Sequence, residues 1–328
     1  MKGPAAQLCW RRSFADAVTS VAVGDGPDIA VGVATGEIAY VSLLDGQLRW
    51  HATVHAAPVE RVARLADGRA VSSGQDGAVW CTGSTGSPTK WLSTPGWVEQ
   101  LAVQGQSVWI GAGRHLWRRD LAGEVQVRFE APSTISGLAA VASGVVVSHF
   151  GGLTVVPGCS EEAHTPLPWR GSLLGVAVSP NGQWYAAPSQ ESTLQLWRAR
   201  DGLSLAMQGF TERISALGWQ MDSRVLITGC GPDLTLWDFR GAGPEGKPPM
   251  SLQIHDASVL VLANHPSRSI VLSADQTGLV VLTELGIGQA RVLGDIATGE
   301  RVLGAAWSDD GRHFLVWTVH GTVGCWRL

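Results

Sequence analysis

The sequence predicts an all-β fold built from eight repeats, on three observations: a recurring seven-residue pattern, an apolar series of the same period, and a composition suited to many short strands. In its clearest copies, 191–197 and 320–326, the pattern runs from a turn residue through alternating apolar positions to Trp197 and Trp326. Its seventh position falls on Val41, Thr82, Trp117, Pro157, Trp197, Trp237, Thr283 and Trp326, at intervals of 35 to 46 residues. The apolar residues that open each unit, Val18, Val59, Val98, Ile135, Leu174, Ile214, Val259 and Val302, are spaced 37 to 45 residues apart. Two series with one period of about 40 residues specify a repeat architecture. Charged residues are 16% of the 328, hydrophobic residues 45%, and 41 are glycine, which leaves helix content close to nil.

Within a unit the order is an apolar strand, a turn, a small-residue strand, a turn, the strand that carries the seventh position, and a polar fourth strand. Unit five shows it best, with strands over 174–179, 184–189 and 193–198 and turns at 180–182 and 190–192. Four short strands per repeat make the blade of a β-propeller. A single domain spanning residues 1–328 is expected, because a ring grows by repetition. Unit four is the weakest, lacking Trp and carrying Pro157. Without it the stretch from Trp117 to Trp197 would be far longer than an ordinary loop, yet apolar runs at 135–141, 144–148 and 152–156 keep the strand signal. Eight blades is therefore the expected count, with seven as the alternative. The chain stops at Leu328, directly after the third strand of unit eight. Residues 1–16, with Leu8, Trp10 and Phe14 at the spacing of a strand with one buried face, are expected to supply its fourth strand and remove an open edge.

A net charge of −4 without a block of five like charges lacks the footprint of a dedicated nucleic-acid binder. The excess of arginine, 21 against three lysines, reads as the coding bias of a GC-rich genome. No apolar run in residues 1–16 suits a secretory signal or membrane span, so the expected compartment is the cytoplasm. Five widely spaced cysteines, Cys9, Cys81, Cys159, Cys230 and Cys325, form no C-x-x-C pair, and because four of them sit in or beside predicted strands the expected role is that of small buried hydrophobes.

Several pieces of the units resemble those of the WD-repeat family. Trp237-Asp238 is a literal W-D, and Trp117, Trp197 and Trp326 keep the Trp. Residues 179–182 and 308–311 resemble the family's S-P-D-G turn, and 73–77 its S-x-D-G turn. His55 and His255 stand four residues before an opening apolar residue, where the family places the His of a buried Asp-His-Ser-Trp network. No unit has all four members: unit two offers His55, Ser72 or Ser73, and Asp76, but has Thr82 in the Trp slot. The resemblance spans the whole chain, and by it Trp219 and Trp307 join Trp117, Trp197, Trp237 and Trp326 as core residues. Residues 43–50, with Asp45, Gly46 and Trp50, also resemble the tryptophan-docking stretch of quinoprotein dehydrogenase-like propellers, which have eight blades.

Chemistry-bearing motifs are scarce. The acidic pairs Glu161-Glu162 and Asp309-Asp310 fall in turns, and no Gly-x-Ser-x-Gly or phosphate-binding loop has a helix to follow it. His51 and His55 have the i, i+4 metal spacing but no identifiable third ligand. No catalytic, cofactor-binding or metal-binding residue is assigned, and no cofactor is expected. The WD-repeat resemblance puts the turns between second and third strands, and the segments leading into first strands, on one face. That face would carry Gln75, Asp76, Arg114, Gln190, Glu191, Asp233, Gln276 and His320, bordered by Trp97 and Trp169. Aromatics and arginines at such a place suit protein partners. The expected function is a non-catalytic interaction scaffold or complex subunit, monomeric by itself. One alternative is an enzyme or small-ligand binder using the central channel. Another is a nucleoprotein subunit meeting phosphate through Arg114, Arg118, Arg119 and Arg128, with nucleic acid expected only within a larger complex.

Overall fold

The computed structural model describes residues 6–24, 26–121, 123, 125–158, 163–286 and 288–328. Among them there is no helix, and consecutive strands pair as antiparallel meanders in eight sheets. Blade one takes Val18–Ala22, Asp28–Val33, Glu37–Ser42 and Leu48–Thr53 in that spatial order. Blade four differs in form: one run, Gly144–Pro157, carries both middle strands between Gly137–Val141 and Thr165–Ser172. It folds on itself at Phe150 and Gly151, and the Gly158 N–H donates to the Ser143 carbonyl at 2.7 Å. Gly151 and Gly152 adopt φ of +97° and +132°, which a side chain would resist. Unit four is thus a blade, and the count is eight.

The first strand of each blade contacts the first strand of the next, and that of blade eight contacts that of blade one, so the ring is closed. Its core lies between the blades. Each of eight apolar clusters joins two neighbours, as where Trp184, Leu194 and Leu196 of blade five meet Ile214, Trp219 and Trp237 of blade six. Phe239 is clamped there between Trp184 and Trp219, at ring distances of 5.3 and 4.5 Å, which anchors the long loop that follows Asp238.

Closure happens as the sequence predicts. Gln7–Ser13 pairs antiparallel with Thr322–Arg327, from Gln7 opposite Arg327 to Ser13 opposite Thr322. Trp10 is buried, and its Nε1 donates to the Leu43 carbonyl of blade one at 2.8 Å. Leu8 was expected on the same buried face, but it is 44% exposed, because a bulge between Leu8 and Trp10 resets the alternation.

Two further expectations need correction. Unit five opens on Leu173, 2% exposed, rather than Leu174, 38% exposed. Adjacent leucines read alike in a period-two pattern, and the bridge from Leu173 to Ser189 decides between them. In blade three the seventh-position slot belongs to Arg119, not Trp117. The second residue of the second strand pairs with that slot in blades one and eight, as Ile29 with Val41 and Phe314 with Trp326. The same rule in blade three gives Val108 with Arg119. Trp117 and Arg119 lie two residues apart and share a face, so alternation alone could not separate them. Trp117 is half-buried, the Arg119 guanidinium lies 4.4 Å from the Trp91 ring, and Trp109 is the fully buried indole of the blade. Trp197, Trp219, Trp237, Trp307 and Trp326 are buried as expected.

Candidate interaction face

Meander topology places the turns between second and third strands and the segments leading into first strands at one end of every blade. The residues assigned to one face do come together there, but two of them are occupied by the fold. Asp76 accepts from His55 Nδ1 at 3.0 Å and from the backbone N–H groups of Ala56 and Ala78 at 3.0 and 3.1 Å. It is a structural carboxylate, not one left for a partner. Trp169 lies inside the fourth strand of blade four, not just before a first strand. Half-buried, it packs on the blade four to five cluster, where a Cβ at Gly171 would stand 2.4 Å from its ring.

The others are accessible to differing degrees. Gln190, Glu191 and Gln276 are exposed, and Asp233 is half-buried at the start of its strand. Gln75 donates to Glu60 Oε1 at 2.6 Å, and His320 Nδ1 stands 3.7 Å from Glu300. Arg114 is tied to Glu130 at 3.2 Å and donates to the Ala131 carbonyl. The largest apolar exposure on the face is concentrated in three successive blades: Trp97 leading into blade three, Phe150 at the turn of blade four, and Leu174 leading into blade five. Phe150 and Leu174 were missed from the sequence. A bulky aromatic directly before Gly151-Gly152 was a readable signal for Phe150, since so tight a turn leaves its central side chains in solvent.

Charge on this face is uneven. In the described turns and approach segments, Asp16, Glu99, Glu191, Glu212, Asp256 and Glu300 reach solvent at least in part, against Arg114, Arg213 and Arg301. The arginines of the nucleoprotein reading are engaged within the chain. Arg118 pairs with Asp120 at 2.8 Å, and Arg128 donates to the Gly158 carbonyl.

Beneath the face, His55 and His255 build two copies of a buried network. Each Nδ1 stands 3.0 Å from a carboxylate, Asp76 or Asp275, and each Nε2 stands 2.9 or 2.8 Å from a hydroxyl, Ser72 or Ser273. An ionised carboxylate can only accept, so Nδ1 carries the proton and Nε2 accepts from serine. The order Asp, His, Ser is that of a nucleophilic triad, but Ser72 and Ser273 are fully buried and His55 and His255 nearly so, which keeps substrate away. The Trp slots hold Thr82 and Thr283, so each network stops at serine. His51 turns outward to Glu37 at 3.1 Å, so the two histidines do not converge on a metal. Glu161-Glu162 and Cys159 lie outside the described residues. Asp310 caps its own turn, accepting from Ser308 at 2.6 Å and from the Arg312 N–H.

Burial pushes the His55 imidazole down from its ordinary value near 6.5, against an upward pull from Asp76. Burial alone would raise the Asp76 carboxyl, but its hydrogen bonds from His55 and two N–H groups outweigh that and hold it low. The folded state therefore keeps His55 neutral while the unfolded chain takes up a proton as pH falls through the ordinary value, so stability decreases on acidification. His265, also depressed by burial, acts in the same direction. The melting temperature is expected to fall between pH 7 and pH 5, and His55→Gln to flatten that slope. An unchanged slope in the variant would show that His55 does not carry the effect.

No family model and no curated protein matches the chain. Among solved structures it is similar to the crystal structure of the computationally designed Ika8 protein, with a TM-score of 0.82 and 20% identity over 98% of this chain and 100% of that one. The chain is an eight-bladed β-propeller. At that identity the likeness concerns the fold alone. No helix among the described residues is long and apolar enough to cross a membrane.

Proposed function

We propose that this propeller is a degenerate WD-repeat scaffold, a non-catalytic cytoplasmic subunit that docks other proteins on the turn-bearing face of blades three to five. The observation that carries the reading is the exposure there of Trp97, Phe150 and Leu174, at 54%, 60% and 38%. Exposed aromatics are costly to leave in water and are the usual anchors of a protein interface. The ring holds them on strand ends and short turns, so little conformational entropy is lost when a partner binds. In these three blades the face carries Glu99 and Glu191 against Arg114, so the apolar side chains, more than charge, select the partner segment.

Cavities of about 340 and 520 Å³ open between blades five and seven at the opposite end. The charged groups near them form ion pairs within the chain, Arg198 and Arg200 sharing Asp201 at 2.7 and 3.5 Å, and Arg240 with Asp238 at 2.8 Å. The test compares proteins co-purified with the parent chain, with Trp97→Asp/Phe150→Asp, and with Leu44→Asp/Leu203→Asp on the far face. Specific partners are expected to be lost tenfold or more in the first variant alone, at unchanged melting temperature. Equal retention by both variants would contradict the assignment.

A further inference from the structure

We propose that Cys9 and Cys325 are a disulfide-forming pair that locks the seam of the ring, oxidised by exchange with a low-molecular-weight disulfide of the glutathione type. The seam is where the two ends of the chain pair, and its register is irregular at this point. Leu8 faces Trp326 and Trp10 faces Cys325, so Cys9 is the extra residue of a bulge and shares with Trp10 the position opposite Cys325. Two residues facing one is the geometry that brings a bulged side chain beside the partner's. The register thus sets Cys9 beside Cys325, and both thiols are free in this structure.

The pair is asymmetric in a way that suits ordered exchange. Cys9 is exposed and can meet a disulfide in solution, whereas Cys325 is fully buried with its Sγ 3.6 Å from the Leu43 carbonyl. The Cys9 thiolate attacks one sulfur of oxidised glutathione, forming a mixed disulfide and releasing one glutathione thiolate. That thiolate or water takes the Cys325 proton. The Cys325 thiolate then attacks the Cys9 sulfur and expels the second glutathione, so two protein thiols are oxidised and one glutathione disulfide is reduced to two thiols. Burial, with the Cys9 thiol beside it, pushes the Cys325 thiol up to about 12, so the second step is expected to be the slower and to quicken with pH. Cys81 and Cys230 are also buried free thiols, in blades two and six, away from the seam.

The bond would tie residue 9 to residue 325, the two strands whose separation opens the ring. In a reducing compartment it would form only under oxidative load, making the seam a redox-responsive lock. The test incubates the full chain with oxidised glutathione and reads intact mass, a non-reducing peptide map and the melting temperature. Expected are a loss of two hydrogens, one linked peptide pair containing Cys9 and Cys325, reversal by dithiothreitol, and a rise of about 5 °C or more in melting temperature. Cys9→Ser, exposed and tolerant, should fold like the parent and lose all of these. A lasting glutathione adduct on Cys9 with Cys325 still free, or the same rise in Cys9→Ser, would overturn the proposal.

Discussion

Removal of residues 1–16 is expected to abolish cooperative unfolding of a monomer, or to lower the melting temperature by more than about 10 °C with aggregation on heating. Three losses combine. The third strand of blade eight, Thr322–Arg327, would lose its outer partner and present an open edge. The cluster between blades eight and one would lose Trp10, a buried indole whose truncation alone is worth about 3 to 5 kcal/mol. Two bonds that tie the seam to blade one would go as well, from Trp10 Nε1 to the Leu43 carbonyl and from Arg12 to the Gly46 carbonyl at 3.0 Å, with the bond inside blade eight from Phe14 N–H to the Gly321 carbonyl at 2.9 Å. Together these approach the whole stability of an ordinary domain, about 5 to 15 kcal/mol. Calorimetry with light scattering checks the outcome, and a truncated chain that melts like the parent would mean that the ring closes without this strand.

Replacement of Trp197 by Ala is expected to cost about 3 to 5 kcal/mol, and replacement of Trp117 clearly less, about 1 to 2 kcal/mol. Trp197 is 1% exposed and packs with Val146, Leu153 and Tyr185 between blades four and five. Truncating it empties a site walled by two sheets that cannot easily collapse. Trp117 is half-buried and lies only at the margin of the blade two to three cluster, leaning on His115 at 5.6 Å between ring centres. Denaturant unfolding of both variants measures the difference. Equal costs would restore Trp117 to the slot now given to Arg119.

These two indoles also show what the sequence could and could not reveal. Period and strand order were readable because each blade must bury an apolar layer against its neighbour, and that requirement repeats whatever residue meets it: Val41, Thr82 and Thr283 serve in slots that hold Trp elsewhere. Absolute register within a blade was less readable, since a shift of two residues keeps the same face, and Trp117 drew the alignment away from Arg119. The bulge at Cys9 was invisible, because an extra residue in one strand is defined only by the strand opposite. On the candidate face, topology made the turn positions legible, but not whether a turn residue was already engaged. Asp76 read both as a turn residue of the face and, through the spacing of His55, as a member of the buried network, and the hydrogen bonds to its carboxylate decide for the network.

The scaffold reading rests on Trp97 and its neighbours meeting a partner, and site-specific photo-crosslinking tests this most directly. A benzophenone amino acid placed at position 97, and separately at position 44 on the far face, would be irradiated in cells. Discrete crosslinked partners are expected from position 97 and none from position 44. Crosslinks confined to position 44, or absent from both, would contradict the account.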